Sequence, residues 1–299
     1  MQTFSLLAPL IFICLFGFMA IKIGLLNKTH SDALSKICFN VLLPLFLFRS
    51  TYLTDLDANI SLSWFLSFYL PVVASFVLVF VINRHLINKN AGNATMRALV
   101  ANYSNTVLIA IPILASLLPQ QVAGQAFVLI GLHSAILFTL TEILLHGRGL
   151  KTILAGLNNP IVLSISLGLI CNLIQLPIPK LVLQPMQLLS QSAIALALFG
   201  LGASMNFLPI RGNRTTALLL SLHKLLLLPF AVFVLGAYGL DLNAQQLLIS
   251  VLLTASPTGA AAFLVATQHE ECQDVAATTV VLSTLLCPFT YLVWIQLLT

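Results

Sequence analysis

The chain has 299 residues, of which 59% are hydrophobic and only 7% charged, against about 25% charged in an ordinary soluble domain. With a mean hydropathy of +1.04, so much apolar side chain cannot be hidden in one water-soluble core of this size; a soluble enzyme and a disordered chain are excluded, and a polytopic membrane protein is indicated. The net charge of +5 comes from basic residues scattered between apolar runs rather than clustered in a stripe, so no nucleic-acid partner is expected.

A membrane span needs about 20 mostly apolar residues. Ten such runs are predicted, at 5–25, 34–53, 61–82, 97–118, 125–146, 158–176, 185–206, 215–238, 245–267 and 275–297. Only helices satisfy every backbone group at that length, so the predicted class is an all-α membrane protein with ten transmembrane helices. The start, Met1-Gln2-Thr3-Phe4-Ser5, lacks the basic region of a signal peptide, and the first run is therefore expected to be kept as a span. Connections are short and rich in turn residues: Asn27-Lys28-Thr29-His30, Asn88 to Asn93, Gly147-Arg148-Gly149 and Arg211-Gly212-Asn213-Arg214. Five cysteines, Cys14, Cys38, Cys171, Cys272 and Cys287, form no CxxC pair and read as inert thiols.

The basic residues orient the spans. Lys22, Lys28, Lys36, Arg84, Lys89, Arg97, Arg148, Lys151, Arg211 and Arg214 fall on odd-numbered loops and their flanks, whereas even loops hold Arg49 and Lys180. Odd loops are therefore expected in the cytoplasm, with both termini on the non-cytoplasmic side of the cell (inner) membrane. Tyr52, Trp64, Tyr238 and Trp294 near the outer ends suggest an interfacial aromatic belt.

Span 4 carries Pro112 near mid-depth, with Asn102, Ser104, Asn105 and Thr106 before it; span 9 carries Pro257 among Thr254, Ser256, Thr258 and Gly259. A proline inside a helix removes a backbone bond and clashes with the preceding turn. Each could be a plain kink. Two at equivalent places favour two broken helices, whose free backbone groups are tolerated only where they are buried or line a cavity. The half-helix beginning after each break would point its positive end at the centre and suit an anion.

Between these spans lie other polar residues. Span 5 has His133, Glu142 and His146, which allow packing or proton coupling; the two histidines lack the matching helix that a haem would need. Span 7 is lined with small residues from Ser192 to Ser204, as expected for close helix packing. In span 8, His223 is expected to be a hydrogen-bonded structural histidine. Lys224 lies about 14 Å into the span at 1.5 Å per residue, where a cation is costly. Snorkelling, a structural cation on broken backbone carbonyls where sodium would otherwise sit, and contact with an anionic substrate all remain open.

Weak matches at an offset of about 150 residues support a 5+5 inverted repeat. Leu47-Phe48 meets Leu198-Phe199, Phe138-Thr139 meets Phe289-Thr290, and Pro112 meets Pro257. The repeats would be 1–150 and 151–299. No P-loop, HExxH or GxSxG occurs, so neither ATP-driven transport nor those enzyme chemistries are expected. A secondary transporter leads, with a channel or a membrane sensor as rival readings.

The same residues resemble the auxin efflux carrier family, which comprises plant PIN carriers and bacterial relatives described as malonate or other organic-acid transporters. The resemblance rests on Phe16-Gly17-Phe18 to Gly24-Leu25-Leu26, Leu43-Pro44-Leu45-Phe46-Leu47-Phe48, Asn105-Thr106 to Pro112-Ile113-Leu114, Asn159-Pro160 and Ser256-Pro257-Thr258-Gly259. It implies a scaffold of helices 1, 2, 6 and 7, and a transport bundle of helices 3–5 and 8–10 in which broken helices 4 and 9 cross at their prolines. It also implies alternating access of elevator type and a small organic anion, a mono- or dicarboxylate, as substrate. Ala110 in place of the family glycine, Ile161 in place of a second asparagine and a short central loop are departures; the last two point away from auxin and from phosphorylation control. The substrate-facing residues expected are Asn105, Thr106, Pro112, Lys224, Ser256, Pro257, Thr258 and Gly259, with Pro44 and Asn159. No metal and no resident cofactor is expected, a coupling proton or sodium ion stays open, and a homodimer stays open beside the lipid bilayer as partner.

Overall fold

The computed structural model describes residues 2–54, 61–87, 90–118, 120–146, 160–208 and 213–299. Asn159, the turn residues Asn88-Lys89, Gly147-Arg148-Gly149 and Arg211-Gly212, and Lys151 lie outside the described residues. The described chain is all helical: α1 Gln2–Lys22, α2 Lys28–Tyr52, α3 Leu62–Ile87, α4 Ala91–Asn102, α5 Ile111–Leu117, α6 Gln120–His146, α7 Pro160–Leu173, α8 Lys180–Met205, α9 Arg214–Gly239, α10 Ala244–Ala255, α11 Ala260–Gln268 and α12 Gln273–Leu298. Among the described residues, six helices are long and apolar enough to cross a membrane: α2, α3, α6, α8, α9 and α12. Shorter apolar helices include Ala8–Lys22, Leu163–Leu173 and Ala244–Ala255.

The polar punctuation between apolar runs starts the helices. Asn27, Asn90, Asn213 and Asn243 each accept a bond from the backbone N–H three residues on, and Ser61 accepts from the Trp64 N–H. Each satisfies one of the orphan donors of a first turn. His30 and Gln246 return bonds to the capping residues' own N–H groups, completing reciprocal caps.

Three interior prolines follow a wide helical turn. Cys38–Leu42 precedes Pro44, Thr106–Ala110 precedes Pro112, and His223–Leu227 precedes Pro229. In two of them the residue before the proline donates five residues back, Leu43 N–H to Cys38 O and Leu228 N–H to His223 O. The ring excludes the ordinary bond and crowds the preceding turn, and a π turn absorbs both effects without ending the helix. Pro112 therefore does not break its span. The expectation of a break there is corrected: the helix ends earlier, at Asn102, and resumes at Thr106.

The chain forms two compact units. The first comprises Met1–Ala58, Ile111–Leu132 and Ala155–Leu208. Its helices approach closely because glycines face backbone. A Cβ on Gly17 would lie 1.9 Å from the Phe199 carbonyl oxygen, and one on Gly202 would lie 1.8 Å from that of Cys14. The small residues of α8 thus serve packing against α1. A Cβ on Gly168 would meet Thr51 Oγ1 at 1.9 Å, and Asn172 Nδ2 donates to the Tyr52 and Thr54 carbonyls at 2.7 Å each.

The second unit comprises Asn59–Ala110, His133–Leu154 and Pro209–Thr299. Trp64 and Trp294 are buried within it rather than set in an interfacial belt. Trp64 Nε1 donates to Ser250 Oγ at 2.8 Å, and Trp294 Nε1 donates to the Leu225 carbonyl at 2.9 Å. An indole whose N–H finds a partner inside contributes both area and register.

Candidate functional site

Inside the second unit, two helices stop and their extended ends pair. α4 ends at Asn102, and Tyr103 turns extended with φ −75° and ψ 112°. α10 ends at Ala255, and Ser256 turns extended with φ −60° and ψ 147°. Ser104 and Thr258 then form an antiparallel bridge. The Asn105 N–H donates to the Pro257 carbonyl at 2.8 Å, and the Gly259 N–H donates to the Tyr103 carbonyl at 3.0 Å.

Side chains supply most of what the bridge leaves open. The Ser104 N–H donates to His133 Nε2 at 3.2 Å, and the Thr258 N–H to Ser283 Oγ at 3.0 Å. Thr258 Oγ1 donates to the Val100 carbonyl at 2.9 Å. The Tyr291 hydroxyl donates to the Leu252 carbonyl at 2.7 Å and lies 2.9 Å from Ser256 Oγ. Lys224 Nζ donates to the Thr254 carbonyl, near the end of α10. Buried non-helical backbone persists here because its groups are partnered inside the protein.

Gly259 is required by contact. A Cβ there would lie 2.7 Å from Tyr103 Cε1 and 2.8 Å from Cδ1. The Tyr103 ring is held by stacking on Phe138, with centroids 4.9 Å apart, and by a 2.9 Å bond between its hydroxyl and Ser134 Oγ.

The bridge also leaves polar atoms over. Asn102 Oδ1, Ser104 Oγ, Asn105 Nδ2 and His133 Nδ1 are buried and have no hydrogen-bond partner among the described residues. Because His133 Nε2 accepts from Ser104, its Nδ1 carries the proton in the neutral ring. The leftover set therefore offers donors on Asn105 and His133, an acceptor on Asn102, and the Ser104 hydroxyl, which can donate or accept. Orphaned buried polar atoms are rare, and a cluster of four requires a reason.

Of the residues expected to face substrate, Asn105, Ser256, Pro257, Thr258 and Gly259 meet at this bridge, and Thr106 follows it as the first residue of a buried π turn. Lys224 is fully buried, which excludes snorkelling. Pro44 and Pro112 belong to the first unit, and Asn159 lies outside the described residues. His223 is hydrogen-bonded, its Nε2 2.7 Å from Ser75 Oγ, and Glu142 pairs with His269 Nε2 at 2.9 Å. Tyr103, His133, Ser283 and Tyr291 are not among the substrate-facing residues expected from the sequence. The one usable signal for them is a histidine inside an apolar run, since such a group within the bilayer needs partners. A cleft of about 370 Å³ lined by Asn93, Arg97, Glu270, Cys272, Gln273, Asp274 and Val275 does not include the residues of the bridge.

Two successive stretches, residues 3–154 and 148–295, match the profile of a family described as membrane transport protein. No curated protein matches the chain. The two matches together take in nearly the whole sequence, and the motifs at Asn105 to Leu114 and Ser256 to Gly259 fall within them. The chain therefore belongs to the membrane transport protein family, the auxin efflux carriers, and is a multi-pass membrane transporter.

Proposed function

We propose that this transporter is a secondary carrier of a small organic anion, a mono- or dicarboxylate such as malonate, working by alternating access in the cell (inner) membrane. The observation that carries the proposal is the leftover polarity at the bridge: three buried groups able to donate, on Ser104, Asn105 and His133, beside the broken ends of α4 and α10. A carboxylate accepts hydrogen bonds only, so it would be matched by the donors. The positive end of α11, which begins at Ala260 with no side-chain cap on Gly259, adds favourable charge.

Ten spans arranged as a 5+5 inverted repeat, with broken helices 4 and 9, complete the proposed architecture. Support comes from the two family matches over successive halves and from the paired ends of α4 and α10. A scaffold of the first, second, sixth and seventh spans, with the bridge in a transport body, agrees with the compact units in part: those four spans share the first unit and the bridge lies in the second, but Ile111–Leu132, from the proposed fourth and fifth spans, falls in the first unit as well. Alternating access follows from an internal repeat more naturally than a channel does, since channels build selectivity from oligomeric rings or carbonyl filters.

The test is a thermal-shift screen of the purified protein against mono- and dicarboxylates, at two pH values and with and without sodium. Stabilisation by a subset of carboxylates, and its loss in Asn105→Ala, is expected. Stabilisation by none of them, or equal stabilisation of the variant, would contradict the proposal.

A further inference from the structure

We infer that Lys224 is a tethered cation, its ammonium filling the position at the broken end of α10 where a soluble alkali cation would otherwise bind, so that transport needs no sodium. The inference rests on the carrier proposal above.

Broken helices in secondary carriers commonly use the carbonyls of a half-helix C-terminus to hold a coupling ion. The reason is general. The last turn carries carbonyls without helical partners and a partial negative charge. α10 ends in this way, at Ala255, with Ser256 already extended. Neutral hydroxyls meet one of its last carbonyls: Leu252 O accepts from Tyr291 at 2.7 Å and from Ser256 Oγ at 3.3 Å. A cation meets another, as Lys224 Nζ donates to Thr254 O.

Neither water nor a carboxylate balances the ammonium. Lys224 is fully buried, so water does not solvate it. Among the described residues no carboxylate pairs with it. Among the described residues, His133, His223 and Cys287 lie near enough to interact with its charge, and none of them is a carboxylate. The negative end of α10 is therefore what compensates the charge, and the charge in turn compensates the end of α10. A sodium ion would compete for the same carbonyl face and be repelled by the ammonium. Lys224 stands on the wide turn His223–Leu227 ahead of Pro229, which fixes where its side chain leaves α9.

Two measurements test the inference. Malonate uptake into proteoliposomes should proceed in sodium, potassium and choline chloride at rates within about two-fold of one another. The Lys224→Ala variant, which vacates the position, should gain thermal stability in sodium relative to choline, as a ligand of the folded state must confer, while the unmodified protein should gain none. Lys224→Arg should retain a sodium-independent fold, because the fixed charge persists; if the alanine variant does not purify, this variant decides. Wild-type uptake that requires sodium would overturn the inference and leave the carrier proposal intact. An alanine variant indifferent to cation type would overturn it as well. Absence of malonate uptake and of anion binding in every salt would instead fail the carrier proposal, and the thermal comparison of wild type with Lys224→Ala would still decide the tethered cation.

Discussion

The backbone N–H of Asn105 donates to the Pro257 carbonyl over 2.8 Å, joining two helices main chain to main chain. A single antiparallel bridge replaces the helical bonds that each broken span has given up. Side chains of His133 and Ser283 complete it from two further helices. Asn102, Ser104 and Asn105 stand at the break, His133 is bonded to it, and each keeps a buried polar atom without a partner among the described residues, so the geometry that breaks the helices also leaves unfilled hydrogen-bonding capacity.

The close approach of Gly259 to the Tyr103 ring gives the first prediction. Gly259→Ala places a methyl about where ring carbons lie, at 2.7 and 2.8 Å. Overpacking of this kind typically costs about 1–3 kcal/mol. Thermal unfolding should report that loss, and transport should fall with it. The double variant Gly259→Ala with Tyr103→Leu should recover part of the stability, since the two changes couple. An alanine variant as stable and active as the parent would contradict the packing.

The two prolines should behave differently. Pro112→Ala removes the cause of a π turn but leaves the bridge at Tyr103–Asn105 in place, so substrate affinity should change by no more than about two-fold. Pro257→Ala lifts a penalty of about 3 kcal/mol against continuing the helix. The end of α10 should then extend into the bridge, with stability held or raised and transport lost. Titration of both variants with the ligand found by thermal shift distinguishes them, and equal behaviour would mean that Pro257 is a kink only.

His133 accepts the Ser104 N–H. His133→Leu strands that donor in a buried position, at a cost of about 1–3 kcal/mol. His133→Gln keeps an acceptor and should lose less. A denaturation series in detergent gives the order wild type, Gln, Leu; a leucine variant at wild-type stability would show that Ser104 finds another partner.

Orientation has its own test. With ten basic residues on odd loops and flanks, both termini should lie outside the cytoplasm. A fluorescent tag at Thr299 that matures only in the cytoplasm should stay dark, and a bright tag would invert the assignment.

Six of the ten apolar runs, the asparagines that became helix caps and the Ser256 to Gly259 break were legible in sequence because each is a local signal. The break in the fourth span was not. It falls at Tyr103–Asn105, where no proline stands, and it exists because Thr258, far along the chain, pairs with Ser104. Long-range pairing leaves no local trace. Pro112 drew attention to the wrong residue: its effect on the helix is a wide turn, not an end. His133, inside an apolar run, was visible, but its partner was a backbone N–H that only a broken helix exposes.

A bridge that binds and carries a carboxylate must exchange it across the membrane. Counterflow in proteoliposomes tests this exchange most directly: vesicles loaded with unlabelled malonate are diluted into labelled malonate, and label is followed over time. Internal label should overshoot transiently in wild type, should not overshoot in Asn105→Ala, and should overshoot normally in the surface variant Lys36→Ala. Flux that never overshoots and does not saturate would describe a channel, and an unchanged overshoot in Asn105→Ala would place the substrate somewhere other than the bridge.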